Sequence, residues 1–144
     1  MKVYCVASGC GCWLRLSYSG EEQAKKAAAL LAKRGIGQST VFIFRTKEAV
    51  SVGTAKFIGE KINSKKMTLM VIDPAGGFLG VKKTVDAFVE RHSDKTFIVV
   101  ALASTIEHVA RSFAEDFGLD SAFDVEDGVV LLVDTKEKTI EELL

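Results

Sequence analysis

Hydrophobic positions along the chain form nearly continuous apolar runs that alternate with amphipathic helix patterns. Residues 68–73 and 96–103 are two such runs, and a helical pattern follows each of them. Uninterrupted apolar strands that alternate with helices are typical of a parallel sheet covered on both faces. The sequence therefore predicts a three-layer α/β sandwich with five or six mostly parallel strands, flavodoxin-like or Rossmann-like in topology.

The other elements are predicted from β-forming runs, helical spacing and turn residues. Residues 3–8 and 12–18 are rich in β formers and flank glycine-rich residues 9–11, which predicts an N-terminal hairpin. Capping boxes at Ser19 and Ser104, helical spacing at 81–89 and 106–117, and Gly118 as a stop signal predict three helices. Further segments are a strand at 40–44, an ambiguous stretch at 47–63, strands within 123–133 and a final helix at 135–144.

Length and composition narrow the class of protein. The 144 residues, 48% of them hydrophobic with a single proline, predict one α/β domain spanning 1–144. The chain has nineteen basic and nineteen acidic residues, and this zero net charge gives no signal for binding nucleic acid. Because zero net charge opposes self-association only weakly, it is compatible with a homo-oligomer. The absence of a bilayer-length apolar run or a signal-peptide pattern, together with an odd number of cysteines, predicts a cytoplasmic protein without a membrane partner. Lysine- and glutamate-rich helix surfaces suit a thermophile.

A glycine-rich loop at 73–80 follows one predicted strand and opens the next predicted helix. Backbone N–H groups at such a helix start hold anions, and Gly76 and Gly77 would let a phosphate approach. The ribose-binding acid of the dinucleotide fingerprint and the Walker pattern are both missing. Two interpretations stay open, an anion site or a plain strand-to-helix turn with Asp73 as its cap.

The same region resembles a response-regulator receiver domain. Asp73 stands where that family has its phosphoacceptor, Pro74 and Gly80 lie in the following turn, and Ser104 or Thr105 follows the next strand. The first strand ends without the family's acidic pair, and no lysine stands in 123–125. The resemblance therefore implies a receiver-like fold in the form of a pseudo-receiver.

Three cysteines, Cys5, Cys10 and Cys12, lie within the first twelve residues. Cys10 and Cys12 lie in or beside the glycine turn, where a thiol pair could serve redox chemistry, and Cys5 suits the core. Because the two histidines lie in distant helices, no metal site is predicted, and the sequence indicates no particular cofactor.

Polar residues at the predicted strand ends form the candidate ligand site. If the strands are parallel neighbours, these residues meet at one edge of the sheet. The favoured function is a small regulatory or interaction domain that binds a nucleotide or another phosphorylated small molecule there. The alternative is an enzyme, either a phosphate-ester or nucleotide hydrolase at the same edge or a thiol redox protein through Cys10 and Cys12. The predicted ligand-binding residues are Ser8, Arg45, Asp73, Gly76, Gly77, Ser104 and Thr105.

Overall fold

The computed structural model describes residues 2–36, 41–62, 67–72, 77–92, 95–120 and 123–144, with the backbone alone at 77–79. Along these residues, four strands each lead into a helix, and two further strands close the chain. In chain order the elements are β1 (Lys2–Ala7), α1 (Tyr18–Lys33), β2 (Val41–Arg45), α2 (Ala49–Ile62), β3 (Met67–Val71), α3 (Gly77–Arg91), β4 (Thr96–Ala101), α4 (Ala103–Phe117), β5 (Val130–Asp134) and β6 (Thr139–Glu142).

A six-stranded sheet in the order β3-β2-β4-β1-β5-β6 forms the middle layer. The first four strands are mutually parallel, whereas β5 is antiparallel to β1 and β6 is antiparallel to β5. Helices α1 and α2 cover one face, and α3 and α4 cover the other. The predicted three-layer α/β sandwich is confirmed, but the sheet is mixed rather than mostly parallel.

The two central strands explain the apolar runs. On β1, Tyr4 and Val6 enter the core under α1 and α2, while Val3 and Cys5 enter the core under α3 and α4. Neighbouring β4 alternates in the same way and is buried on both faces. A strand in this position has no polar face, so its sequence reads as a continuous hydrophobic segment.

Strand order is where the topology departs from expectation. Rossmann-like sheets run 3-2-1-4-5-6 and flavodoxin-like sheets run 2-1-3-4-5, whereas here β4 lies between β1 and β2. Apolar periodicity identifies buried strands but does not specify their neighbours. The two ends of the chain differ from expectation as well.

The predicted N-terminal hairpin is wrong. Beyond β1 the chain makes one isolated bridge, Gly11 with Leu16, and then enters α1. Ser17, rather than Ser19, caps that helix, because its Oγ accepts the N–H of Gly20 at 3.0 Å. Strand β1 pairs with β4 and β5 instead, and burial on both faces supplies more apolar contact than a surface hairpin would.

The predicted final helix is also wrong. Residues 139–142 form β6, with Ile140 opposite Val133 on β5. A ten-residue segment is too short to be stable as an isolated helix, whereas pairing with β5 satisfies the backbone of both strands. The ambiguous stretch at 47–63 contains α2, and Gly118 ends α4 in the left-handed conformation, as predicted. None of the helices in the described ranges is long and apolar enough to cross a membrane.

Candidate functional site

The carboxyl ends of β1 to β4 meet at one edge of the sheet because these strands are parallel. Ser8 follows β1 directly, and its N–H donates to the carbonyl of Ala101 at the end of β4, at 2.8 Å. The N–H of Thr46, which follows β2, donates to the carbonyl of Val100 at 3.2 Å. Parallel α/β sheets bind ligands at this edge.

The predicted ligand-binding residues are distributed along this edge. Ser8 is buried at the end of β1, and Arg45 ends β2 with its guanidinium donating to the Thr46 carbonyl at 3.4 Å. Ser104 is exposed in the first turn of α4, and the neighbouring Thr105 is buried. Leu102 is the N-cap of α4 and no side chain caps the helix, so the predicted capping box at Ser104 is wrong.

The glycine-rich loop lies only partly within the described residues. Gly77 is the first residue of α3, as expected of a loop that opens a helix. Asp73 and Gly76 lie outside the described residues, so a phosphate site in this loop stays a prediction.

A cleft of about 380 Å³ opens at this edge. Its floor is Ser8, and thiols and carboxylates from three separate segments surround it: Cys10, Cys12, Glu48 and Asp127. Among the described lining residues there is no lysine, arginine or histidine. A larger cavity of about 570 Å³ lies beside α1 and α2 but contains no thiol, so we place the chemistry in the smaller cleft.

Cys10 is a nucleophile of the cleft whose thiol contacts two hydroxyl groups. Its sulfur lies 3.1 Å from the Ser17 hydroxyl and 3.1 Å from the Ser19 hydroxyl, at the N-terminus of α1. The hydrogen bond from Ser17, followed by that from Ser19, lowers the pKa of the Cys10 thiol, against smaller opposing effects of desolvation and the Asp127 carboxylate. A lowered pKa increases the share of thiolate, which is the reactive form of a thiol.

Cys12 is also more acidic than an ordinary thiol. The backbone N–H of Leu14, followed by that of Arg15, lowers the pKa of the Cys12 thiol. By contrast, burial raises the pKa of Cys5 to about 12, against the smaller effect of Lys82. The three cysteines therefore fall into two classes, two reactive thiols at the cleft and one inert thiol in the core.

Native-state alkylation should separate these two classes. We expect iodoacetamide to label Cys10 and Cys12 in folded protein near neutral pH, while Cys5 reacts only after unfolding. Peptide mass spectrometry over a time course measures the order. Labelling of Cys5 as fast as Cys10 would contradict the core position of β1.

The loop that carries Cys10 is held by hydrogen bonds within the protein. The N–H of Gly9 donates to Thr54 Oγ1 at 3.1 Å, and the N–H of Cys10 donates to Gln23 Oε1 at 2.8 Å. The N–H of Cys12 donates to the Arg15 carbonyl at 3.0 Å. Because these donors are occupied, the loop positions its thiols but does not form a cradle of backbone amides for an anion.

Glu48 has an unusual carboxylate in this cleft. Its Oε2 is buried and has no hydrogen-bond partner among the described residues. A buried polar oxygen without a partner is costly, and a bound donor from a ligand or water would remove the cost. Glu48 is therefore the side chain in the cleft that most requires an occupant.

Lys82, next to the predicted anion loop, has a structural role. Its ammonium donates to Asp86 at 2.7 Å and to Asp116 at 2.9 Å, and it lies 4.3 Å from the ring centroid of Phe113. Desolvation opposes its charge, but the two carboxylates raise the pKa of Lys82 overall. This lysine therefore links α3 to α4 rather than holding a ligand.

Neither histidine contributes to the cleft. His92 follows α3 at the opposite edge and packs against Phe42, with ring centroids 5.2 Å apart. His108 lies exposed on α4. Sequence reasoning did not single out Glu48 or Asp127 as site residues. Asp127 precedes Gly128 in a turn-forming pair, and nothing in the sequence pattern marks Glu48.

No family model and no curated protein sequence matches the chain. Solved structures do match over its whole length. The protein histidine phosphatase SixA complexed with tungstate superposes with a TM-score of 0.76 at 13% identity, covering 100% of this chain and 95% of that chain. Mycobacterial glucosyl-3-phosphoglycerate phosphatase gives 0.69 at 13% identity, covering 99% and 97%. A phosphoserine phosphatase mutant from Entamoeba histolytica, complexed with phosphoserine, gives 0.67 at 10% identity, covering 99% and 95%.

These similarities show that the chain shares the fold of these phosphatase structures. The receiver-like resemblance is therefore wrong. The resemblance rested on Asp73, Gly80 and Ser104, whose residue types are common at strand and helix ends. Such residues do not determine the order or direction of the strands. An antiparallel β5 and the position of β4 between β1 and β2 are the features that separate the two folds.

Proposed function

We propose that the protein is a phosphate-ester hydrolase that acts on a phosphorylated small molecule in the cleft at the carboxyl edge. The single observation that carries the proposal is the activated Cys10 thiol in this cleft, on a fold shared along the whole chain with phosphatases. The similarity supports the enzyme interpretation over the regulatory domain that the sequence first favoured.

In the proposed reaction the Cys10 thiolate attacks phosphorus and the ester P–O bond breaks. The departing oxygen takes its proton from solvent water in the open cleft, which Asp127 also lines. A water molecule then attacks the thiophosphate and releases inorganic phosphate and the thiolate. We assign Glu48, which lines the cleft, to take the proton of that water.

Charge compensation is the demanding part of this proposal. Phosphoryl transfer depends on cations or amides around the transferred oxygens, and the described cleft lining offers two carboxylates instead. Lys47 is exposed next to Glu48, and Arg45 ends the strand before it. We assign to Lys47 the task of holding the phosphate, because the Arg45 side chain lines the groove beside β3 instead.

A second candidate is a phosphatase-fold protein that binds a phosphorylated ligand without turnover. The observation that favours it is the type of residue at the ends of the two central strands, β1 and β4. Ala7 ends β1, Ser8 follows it and Leu102 follows β4, so none of the residues directly at the ends of these two strands has an ionisable side chain. Binding without chemistry would need only the cleft and its neighbouring cations.

Phosphate release from a substrate panel separates the two candidates. Purified protein is incubated with phosphoserine, phosphohistidine, sugar phosphates, nucleotides and p-nitrophenyl phosphate, and inorganic phosphate is measured. We expect release from at least one ester, together with a thermal shift from its slowly cleaved analogue. A thermal shift without release supports the binder. The absence of both phosphate release and a thermal shift would overturn both candidates.

A further inference from the structure

The outer edge of the sheet carries an apolar strip that the monomer leaves uncovered. Strand β3 ends the sheet, and no strand in the described part of the chain lies beyond it. Met67, Leu69 and Val71 are 39%, 52% and 48% exposed. Long apolar edge strands template pairing with another chain, and natural edges are usually interrupted by charge, proline or a bulge. Strand β3 has none of these.

The strip lies on one defined face. Leu69 is opposite Ile43 in the parallel register with β2, and Ile43 packs against α2. The alternate residue Met70 belongs to the opposite face, where it packs against the core under α3 and α4. Beside α2, by contrast, a groove of about 530 Å³ runs along β3, with the 38%-exposed Val52 of α2 on its wall.

The backbone of β3 is oriented for pairing. The N–H of Ile72 donates to the Arg45 carbonyl at 2.8 Å, so Ile72 directs its backbone groups toward β2. Since direction alternates along a strand, Met67, Leu69 and Val71 direct their N–H and C=O groups outward. The residues with outward backbone groups are thus the ones with exposed apolar side chains.

We propose that two copies of this chain pair through β3, antiparallel about a twofold axis at Leu69. Leu69 then faces Leu69 of the other copy as a hydrogen-bonded pair, and Met67 faces Val71 in both directions. The two sheets become continuous, and both apolar strips are buried between the two α2 helices. A twofold axis suits this surface because the same patch serves on both sides.

Charge complementarity supports a second copy as the occupant. Arg45 lies beside Val71 in the sheet register, at the carboxyl end of the strip. Glu60 lies at the other end, since a Cβ on neighbouring Gly59 would stand 3.4 Å from the Met67 methyl group. Antiparallel pairing brings Arg45 of each copy toward Glu60 of the other. The chain's zero net charge adds no long-range repulsion.

The size of the surface is also relevant. A five-residue strand alone does not reach the ~1,200 Å² that specific interfaces bury in total. The wall of the groove, which includes Val52, Lys56 and Gly59 on α2, supplies the remaining contact. Strand and helix therefore have to act together, which places the apolar contact on the α2 side of the sheet.

Sedimentation equilibrium of the full chain over a wide concentration series tests this proposal. We expect a dimer for the natural sequence and a monomer for Leu69→Lys, with unchanged melting of the monomeric fold because Leu69 is half exposed. Leu119→Lys, which charges a 43%-exposed leucine at the end of α4, is the matched control and should remain a dimer. A natural sequence that is monomeric throughout, or a Leu69→Lys variant as dimeric as the control, would overturn the proposal.

A charge-reversal pair tests the antiparallel register. Arg45→Glu and Glu60→Arg should each weaken the dimer, because each places like charges together at both ends of the strip. The double variant should recover most of the lost affinity, since it restores opposite charges. A double variant weaker than either single variant would contradict this register. None of these measurements depends on phosphatase activity.

Discussion

Gly20→Ala is expected to destabilise the protein by about 3 kcal/mol or more, although alanine favours a helix over glycine by ~1 kcal/mol. Gly20 lies in the first turn of α1, and a Cβ there would stand 1.8 Å from the Cys10 carbonyl oxygen. The oxygen belongs to the backbone, and the backbone of residue 20 fixes where a Cβ stands, so neither atom can rotate away. The close approach outweighs helix propensity and forces α1 away from the Cys10 loop.

The matched control is Gly80→Ala in α3, where a new Cβ would meet nothing within 4 Å of the described structure. Gly80→Ala should be neutral or stabilising by up to ~1 kcal/mol. Reversible urea titrations of both variants measure the difference. A Gly20→Ala variant as stable as the control would show that the Cys10 loop does not lie against α1.

Cys10→Ser is expected to lower kcat by about a thousandfold in any phosphate release that the natural protein catalyses. Serine preserves the shape of the side chain, but a hydroxyl without a base is a far weaker nucleophile than a thiolate. The hydrogen bonds from Ser17 and Ser19 that hold the thiol pKa down have no comparable effect on an alcohol. KM should change little because the volume of the cleft is nearly preserved.

Cys12→Ser is the matched control for this prediction. Cys12 lines the same cleft and also has a lowered pKa, but the groups that lower it are backbone amides of its own turn. Its replacement should leave kcat within about threefold of the natural value. Equal losses in the two variants would assign the effect to disturbance of the loop rather than to a nucleophile.

Sequence patterns predicted the layers of this fold because a residue's burial is reflected directly in its type. Strands β1 and β4 are buried on both faces and read as continuous apolar runs, and α4 shows helical spacing up to Gly118. The order of the strands in the sheet is not reflected in residue type in this way. An apolar strand can pair with any other apolar strand. The residue types of β4 therefore do not specify that it lies between β1 and β2.

The cleft illustrates the same limit for function. Ser8 and Arg45 were expected at one edge because strand ends converge, and the structure places both at that edge. Glu48 and Asp127 come from segments about 80 residues apart, one after β2 and one before β5. Only the folded chain brings their carboxylates to the thiols. The Cys10 thiol was noticed in the sequence, but its Ser17 and Ser19 partners depend on where α1 begins.

The most direct test of the proposed function is the search for a covalent phosphoryl group on Cys10. Natural protein is mixed with the best substrate of the panel, quenched rapidly in acid and digested, and the peptides are analysed by mass spectrometry. The proposed mechanism predicts one phosphoryl group on the Cys10 peptide, absent from Cys10→Ser. Phosphate release without that modification, or with the group on another residue, would contradict it.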